Sequence, residues 1–338
     1  MHLPEVSQKR SAAIVYGLAV FMSAMDITIV NVTLATLGHE FHVTPQGTDA
    51  VAISFVVSLA VFIPASGWLG DRFGTKRVLL AAIAIFTLAS ALCGLAQSLP
   101  QLVVFRALQG VGGGLLMPVG MAVLWRAYPP AERIAVARLV MLPIAIGPAL
   151  GPVLGGVLTT FLSWRWVFFV NLPIGIFTLV FGLVYLREHK EPEAGRFDLP
   201  GFVLAGVGFG CLMYAISAGA SKGWGSPGIV LTGVLGVVMI SALIVVELRV
   251  RQPMLDLRLM KNRLFRTTTI VSFVSAGAFF GILYLVALYF QDGLGMSPFQ
   301  AGLTTFPEAF GVMVGSQIST RMVARVGPRR TLAGGLTG

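Results

Sequence analysis

Long apolar stretches without a charged residue recur along the whole chain and restrict it to membrane-spanning folds. Eight such stretches run through residues 50–70, 78–105, 107–125, 139–164, 166–186, 199–221, 223–246 and 267–291. A helix needs about 20 mostly apolar residues to cross the hydrocarbon layer of a bilayer. Only 11% of the residues are charged, against about 25% in soluble domains, so a water-soluble fold is excluded.

These stretches, with two more that each contain one acid, predict an all-α membrane protein with about ten spanning helices. Asp26 lies in the first of the acid-containing spans and Glu308 in the other. The run that follows Lys9 and Arg10 is too long for the core of a signal peptide, and we interpret it as the first span. The expected helices lie near residues 11–37, 49–70, 78–97, 101–124, 135–160, 164–186, 199–219, 228–248, 266–290 and 300–320.

The positions of the lysines and arginines test this helix count independently. With a cytoplasmic N-terminus, 21 of the 24 lie on the inner side, Arg165 and Lys222 lie outside, and Arg106 falls within a span. Such an asymmetry across short loops follows the positive-inside rule. We therefore interpret the formal charge of +10 as a topology signal rather than a nucleic-acid-binding surface. The expected location is a bacterial-type inner (plasma) membrane.

Part of the sequence is repeated with an offset of 253 residues. Four residues after the second span have counterparts after the tenth, namely Arg72, Gly74, Lys76 and Arg77 and then Arg325, Gly327, Arg329 and Arg330. Duplicated halves are typical of secondary transporters. We expect a six-helix N-terminal half (1–190), an inserted two-helix segment with flanking loops (191–262) and the first two helices of an incomplete C-terminal half (263–338). By this comparison about four helices are absent.

Five segments resemble the motifs of one transporter family. They are MDITIVNV at 25–32, GWLGDRFGTKR at 67–77, RALQGVGGG at 106–114, GPALGPVLGG at 147–156 and WRWVFFVNLPIG at 164–175. In this order, and on these helices, they resemble the fourteen-helix drug:proton antiporter family of the major facilitator superfamily over essentially the whole chain. The resemblance implies the major facilitator fold, with about ten of an expected fourteen helices present. It also implies proton-coupled efflux of small hydrophobic or cationic molecules.

The antiporter motif of the fifth span combines small residues with prolines. It comprises Gly147, Pro148, Gly151, Pro152, Gly155 and Gly156. Three of its glycines repeat every four residues and so share one helix face, where small residues let another helix approach closely. The prolines remove backbone hydrogen bonds and favour a bend. A bent, tightly packed helix between two rocking halves suits alternating access, and ordinary small-residue packing is the alternative.

The loop motif after the second span predicts a gating element. Its residues are Gly67, Asp71, Arg72, Gly74, Lys76 and Arg77. We hypothesise a latch in which Asp71 and Arg72 pair with another helix end in one access state. The alternative is a topology anchor, which explains the cations but leaves Asp71 without a role. Because Ala324 replaces the acid in the second copy, the latch is not expected on that side.

Three ionisable residues lie within predicted spans, namely Asp26, Arg106 and Glu308. A charge at mid-membrane costs about 2.5–3.5 kcal/mol on insertion scales, so its presence suggests a function. We hypothesise that the two acids bind protons or cationic substrate groups. Arg106 would adjust their proton affinity through its charge. The alternatives are that Arg106 extends to the membrane surface and that Glu308 is a structural acid.

Several other classes of function lack a supporting pattern. The nucleotide-binding pattern G-x-x-x-x-G-K-[ST] is absent, and His42 comes one position too early after His39 for the zinc pattern H-E-x-x-H. The G-x-S-x-G match at 219–223 has no strand before Ser221, as a hydrolase would require. We therefore expect no enzyme, no cofactor and no metal site.

The expected partners are a small-molecule substrate, protons and the lipid bilayer. Whether a membrane-fusion or complementing subunit takes part is left open by the sequence. An exporter of one specific metabolite and an uptake carrier are alternatives on the same fold, whereas Asp26 and Arg106 argue against a non-transporting scaffold. If the chain ends at residue 338, an inactive fragment becomes the better interpretation.

Overall fold

The computed structural model describes residues 7–43, 45–190, 195–305 and 307–337, and that part of the chain is helical without strands. Its α-helices are α1 (Gln8–Ile29), α2 (Leu34–Glu40), α3 (Pro45–Phe73), α4 (Thr75–Leu95), α5 (Leu99–Ala127), α6 (Arg133–Phe161), α7 (Trp166–Phe169), α8 (Asn171–Tyr185), α9 (Leu199–Lys222), α10 (Pro227–Arg249), α11 (Arg263–Leu288), α12 (Pro298–Thr305), α13 (Pro307–Val326) and α14 (Pro328–Thr337). The start of the inserted segment, 191–194, lies outside the described residues.

Seven helical segments of the described chain are long and apolar enough to cross a membrane. They are Gln8–Thr33, Gly47–Phe73, Thr75–Leu95, Leu99–Ala127, Trp166–Tyr185, Leu199–Gly219 and Pro227–Arg249. The three remaining predicted spans correspond to α6, α11 and the successive helices α12 and α13. The all-α membrane architecture expected from the sequence is therefore confirmed.

Two predicted spans are less regular than expected in the described part of the chain. The first ends as an α-helix at Ile29 and continues through a 3₁₀ turn, Asn31–Thr33, into α2. The sixth begins with the single turn α7 before α8. Local helix breaks of this kind do not alter the apolar length that the prediction relied on.

The N-terminal helices pack around α5, which contacts α1, α3 and α4. Glycines on α5 make this close approach possible. A Cβ at Gly112 would lie 2.7 Å from the backbone nitrogen of Phe86 on α4. A Cβ at Gly114 would lie 2.7 Å from the carbonyl oxygen of Leu59 on α3. Apolar residues of α1, α4 and α5 fill the core between them, including the fully buried Tyr16.

The inserted helices α9 and α10 pack against each other, and α9 also packs against α3. An aromatic cluster joins the connecting segment to the end of α3. Trp68 lies 4.8 Å from Phe197 between ring centroids, and its indole N–H donates to the carbonyl of Gly195 at 2.7 Å. Phe62 and Phe202 extend the cluster along the α3–α9 contact. On another side of the bundle, α6 contacts α1, α12 and α13.

The two copies of the loop motif share a backbone geometry. Gly74 has a φ of 98° and Gly327, 253 residues later, a φ of 85°, a region open mainly to glycine. The Gly74 N–H donates to the Gly70 carbonyl at 3.0 Å, and the Gly327 N–H to the Val323 carbonyl at 3.2 Å. Each glycine separates the end of one helix from the start of the next. The sequence repeat is thus accompanied by a repeated backbone geometry.

Candidate functional site

Asp26 on α1 and Arg106 on α5 form an ion pair inside the bundle. Arg106 Nη1 donates to Asp26 Oδ2 at 2.5 Å. The Asp26 side chain is 0% exposed and the Arg106 side chain 2%. Removing one partner from such a buried pair costs about 3–5 kcal/mol, because the other charge is left uncompensated. Each of the two residues is therefore the partner that makes burial of the other tolerable.

Two neutral amides complete the set of donors around Asp26. Gln109 Nε2 and Asn171 Nδ2 each donate to Asp26 Oδ1 at 2.9 Å. Gln109 follows Arg106 on α5 and accepts from it at 2.8 Å through Oε1. Asn171 is the first residue of α8. A carboxylate accepts only, and this one accepts from three donors on two neighbouring helices.

A further layer ties this network to α4. Asn171 Nδ2 also donates to Ser90 Oγ at 3.1 Å, and Ser90 Oγ donates to the Phe168 carbonyl at 2.8 Å. The other amide atom of Asn171, Oδ1, has no hydrogen-bond partner among the described residues. Buried acceptors without a donor are uncommon. This one belongs to a side chain that contacts Asp26 directly.

Arg106 is held by more than its ion pair. Its Nε donates to the Val51 carbonyl on α3 at 3.3 Å. The guanidinium carbon lies 4.2 Å from the ring centroid of Phe55, within the range of a cation–π interaction. The side chain points into the bundle and does not extend to its surface. Arg106 could therefore remain in place if the charge of Asp26 were neutralised.

Glu308, the third ionisable residue predicted within a span, lies apart from this pair. It stands in the first turn of α13, and its side chain is exposed. Asp26 is enclosed by α1, α5 and α8, so the structure does not bring the two acids together. A proton or substrate role for Glu308 stays a prediction.

Gln109 and Asn171 belong to motif segments of the sequence, but no role was predicted for either. A neutral amide within an apolar span is a weaker signal than a charge. The signal that was available is that both are hydrogen-bonding side chains inside stretches without charges. Their contact with Asp26 depends on tertiary packing across 83 and 145 residues, which no local pattern reveals.

In the loop motif, Asp71 pairs with the end of another helix. Arg126 Nη2, in the last turn of α5, donates to Asp71 Oδ1 at 3.2 Å. The side chains are 45% and 32% exposed, and exposed pairs contribute about 0–1 kcal/mol. Arg72 is exposed and makes no ion pair within the described part of the chain. The contact is weak enough to break during a conformational change.

Glu188, a residue without a predicted role, caps α4 beside the loop motif. Its carboxylate accepts from the backbone N–H groups of Lys76 at 3.0 Å and Arg77 at 3.2 Å. An acid at a helix N-terminus satisfies free N–H donors and the helix dipole. Lys76 Nζ donates to the Leu183 carbonyl at 2.8 Å. A Cβ at Gly74 would lie 2.5 Å from the Glu188 carboxylate, so this cap requires glycine.

We expect Gly74→Ala to destabilise the protein by about 3 kcal/mol. A strained backbone conformation costs about 1–3 kcal/mol, and loss of a helix cap about 0.5–2 kcal/mol. Gly327→Ala should cost less, because Gly327 shares the positive φ but a Cβ added there would meet no atom within 4 Å. Gly67→Ala is the control, since Gly67 lies within α3 and also has open space. Unfolding in detergent would measure all three, and equal losses for Gly74→Ala and Gly327→Ala would contradict the cap.

The glycine face of α6 packs against α1. A Cβ at Gly147 would lie 3.1 Å from the backbone nitrogen of Met25, and one at Gly155 would lie 2.9 Å from the carbonyl oxygen of Ile29. Between them, a Cβ at Gly151 would overlap the Thr28 side chain. The face therefore contacts α1 directly beside Asp26.

The other end of the motif faces the C-terminal helices. A Cβ at Gly156 would lie 3.3 Å from Cβ of Phe299 on α12. Pro148 and Pro152 lie inside α6, together with Pro143. Helix α6 thus connects α1, which carries Asp26, with the helices that follow the inserted pair.

Comparison with known proteins agrees with this architecture. The sequence profile of the Major Facilitator Superfamily matches residues 16–338. MdtD of Escherichia coli O157:H7, a protein provisionally named for multidrug resistance, is 36% identical over 336 residues, which cover 98% of this chain and 69% of MdtD. MdtD of Salmonella heidelberg is 36% identical over 327 residues, covering 94% of this chain and 67% of that protein.

Among solved structures, the proton:xylose symporter XylE bound to 6-bromo-6-deoxy-D-glucose matches with a TM-score of 0.59 at 15% sequence identity. The match covers 94% of this chain and 69% of that one, and it supports the fold. Together with the family profile and the two relatives, it confirms the fold expected from the sequence motifs. The chain belongs to the major facilitator superfamily of membrane transporters.

Proposed function

We propose that the chain carries the proton-coupling site of a secondary transporter that exports small hydrophobic or cationic molecules by antiport. The observation that carries the proposal is the buried Asp26–Arg106 pair, with Gln109 and Asn171 as its further hydrogen-bond partners. Charges in the interior of membrane proteins are costly and mark ion or proton pathways. Asp26 is the proton-binding group in this proposal.

Proton binding at Asp26 would change the energy of the whole network. The proton neutralises the carboxylate, and Arg106 is left as an uncompensated buried charge, which costs about 3–5 kcal/mol when a partner is removed. The Val51 carbonyl and the Phe55 ring reduce this cost, so Arg106 need not leave the core. The remaining cost favours a second arrangement of the helices.

Asn171 supplies what the protonated form of Asp26 needs. A protonated carboxyl group gains one O–H donor, and Asn171 Oδ1 is a buried acceptor without a partner among the described residues. If the Asn171 amide group rotated so that Nδ2 and Oδ1 exchanged places, Oδ1 could accept from the new O–H group of Asp26. The same side chain can thus donate to the charged form of Asp26 and accept from its neutral form.

The packing of α6 offers a path from Asp26 to the rest of the molecule. Helix α1 carries Asp26 and lies against the glycine face of α6, and α6 contacts α12 and α13. We propose the division into 1–190, 191–262 and 263–338, with α6 at the contact between the two halves. The repeated loop geometry at Gly74 and Gly327 supports it.

The substrate class rests on the family resemblance and on the relatives provisionally named for multidrug resistance. The proposed membrane is the bacterial inner membrane with a cytoplasmic N-terminus, supported by the 21 of 24 basic residues assigned to one side. In this orientation the Asp71–Arg126 contact faces the cytoplasm, and the paired end of α3 and α5 is the inner gate.

A flux measurement tests the proposal. The transporter that contains this chain would be reconstituted into vesicles with a fluorescent organic cation, and a proton gradient would then be imposed. We expect the cation to move against the direction of proton flow and to stop when a protonophore collapses the gradient. Cation movement in the same direction as the protons, or cation movement at a rate that does not depend on the gradient, would contradict antiport.

We expect Asp71→Asn to slow transport by up to about five-fold while membrane insertion stays intact. Losing up to about 1 kcal/mol from an exposed ion pair changes a rate by about that factor. Glu132→Gln is the matched control, because it removes the similarly exposed Lys9–Glu132 pair outside the loop motif. Turnover by Asp71→Asn equal to that of the unmodified protein would eliminate the latch hypothesis.

A further inference from the structure

A cavity of about 1020 Å³ lies between α3, α5 and α9, away from the Asp26 network. Ala50 and Ala107 line it. The adjacent residues Val51 and Arg106 take part in the ion-pair network instead, through the hydrogen bond from Arg106 Nε to the Val51 carbonyl. The cavity is therefore separated from Asp26 by the α3–α5 pair and belongs to the contact with the inserted helix α9.

One end of the cavity lies near the middle of α3 and α9, where Val57 and Gly210 line it. A Cβ at Gly206 would lie 3.5 Å from a Val61 methyl group, and one at Gly210 would lie 3.8 Å from Val57. These are ordinary van der Waals distances, and they show that the two helices are in contact at that level. The other end of the cavity lies beside Asp49 near the start of α3 and Lys222 at the end of α9, which both line it. We call the end of the cavity beside Asp49 and Lys222 the wide end and the remainder, which small and apolar residues line together with three serines, the wedge.

The two charged residues at the wide end do not neutralise each other. Asp49 is half-buried and has no hydrogen bond or ion pair among the described residues. Lys222 Nζ donates to Tyr214 OH at 2.7 Å and lies 5.2 Å from the ring centroid of Tyr214. A half-buried carboxylate is stabilised by a charged donor, and none comes from the described part of the protein. The wide end thus offers one free acid and one positioned cation.

Aromatic residues place this end of the cavity at the level of lipid head groups. Trp224 is 61% exposed and packs against Gly219, and Tyr214 is 44% exposed. Exposed tryptophan and tyrosine side chains are concentrated at membrane–water interfaces. Asp49 and Lys222 therefore lie where the charged part of a lipid lies, with the wedge extending toward the membrane interior.

We propose that this cavity binds a zwitterionic phospholipid with a primary ammonium head group. The ammonium donates to Asp49, the phosphate accepts from Lys222, and an acyl chain fills the wedge between α3 and α9. A primary ammonium donates hydrogen bonds to a carboxylate, whereas the quaternary ammonium of phosphatidylcholine has no N–H. The site thereby attaches the inserted helix pair to the N-terminal helices through a lipid and goes beyond the proposed transport function.

Native mass spectrometry of the purified transporter that contains this chain tests the proposal. After equilibration with equal amounts of phosphatidylethanolamine and phosphatidylglycerol, we expect the protein to retain phosphatidylethanolamine. Asp49→Asn and Lys222→Gln should each reduce this retention by about ten-fold, the equivalent of about 1.4 kcal/mol. Ser217→Phe, which fills the wedge without altering a charge, should reduce it as well. Replacing phosphatidylethanolamine by phosphatidylcholine should abolish the preference.

Glu40→Gln serves as the control, because Glu40 is an acid nine residues before Asp49 that pairs with Arg165 outside the cavity. It should leave retention unchanged. If Asp49→Asn fails to fold, the Lys222→Gln and Ser217→Phe variants decide. Equal retention of the ethanolamine lipid by the unmodified protein and by these variants would overturn the proposal, as would equal retention of phosphatidylcholine.

Discussion

Proton-driven transport by an Asp26→Asn variant is expected to fall by about a hundred-fold or more. The substitution keeps the size of the side chain but removes its charge permanently. Arg106, 2% exposed, then stays uncompensated whether or not protons are available. Removing a partner from a buried pair costs about 3–5 kcal/mol, and each 1.4 kcal/mol changes a rate about ten-fold.

The defect should be one of coupling and not only of speed. In the unmodified protein, proton binding switches the network between two charge states, whereas the Asp26→Asn variant has only the neutral one. The new amide also brings an NH₂ group toward the donors of Gln109 and Asn171, which serve the carboxylate in the unmodified protein. Substrate exchange without a gradient should therefore survive better than gradient-driven accumulation.

Glu308→Gln is the comparison variant, because it removes the other acid that was predicted within a span. Its side chain is exposed on α13, and the structure gives it no contact with the Asp26 pair. Parallel flux measurements on the two single variants and on the double variant separate the two acids. Proton-driven transport that persists in the double variant would rule out these two carboxylates as the coupling groups.

Much of the fold could be predicted because the thickness of a bilayer sets the length of a spanning helix. Apolar stretches of that length carry the information locally, as does the distribution of the basic residues. The 3₁₀ turn after Ile29 and the short helix α7 before α8 were not anticipated, since both leave the apolar composition of the span unchanged. Hydrophobic length reports that a segment crosses the membrane, and it says little about the regularity of the helix.

The site was predictable only in its charged members. Asp26 and Arg106 stood out because a charge inside an apolar stretch is costly, and the structure brings them into contact. Glu308 carried the same signal but lies elsewhere. Glu188 was overlooked because its function depends on the free N–H groups of α4, 111 residues away in sequence. The energetic cost of a charge inside a span identifies candidate residues, and tertiary packing determines which of them are in contact.

The glycines of α6 also allowed only part of their contact to be predicted. Their four-residue spacing predicted a close helix contact, and the structure identifies the partner as α1. The contact lies next to Asp26 in α1, since Gly151 faces Thr28 and Ile29. The spacing of small residues thus predicted the mode of packing without naming the neighbour, and the neighbour is what links the motif to the ion pair.

Gly151→Ala is expected to destabilise the protein by about 3 kcal/mol and to impair transport. The new methyl group would overlap the Thr28 hydroxyl and lie 2.9 Å from the backbone nitrogen of Ile29. Overpacking of this kind typically costs about 1–3 kcal/mol, occasionally more, and a backbone atom cannot turn aside as a side chain can. Helices α1 and α6 must move apart, which also displaces Asp26 from Arg106.

Two further variants isolate the helix contact. Gly233→Ala on α10 places its methyl group 3.6 Å from Ala215, an ordinary contact, so it reports only the gain in helix propensity. Thr28→Ala combined with Gly151→Ala removes the hydroxyl overlap but leaves the contact with Ile29. We therefore expect partial recovery of the unfolding temperature in detergent. Full recovery would show that the side chain alone caused the strain, and an undisturbed Gly151→Ala protein would mean that α1 and α6 are free to separate. In that case the glycine face could not transmit a change at Asp26 to the C-terminal helices.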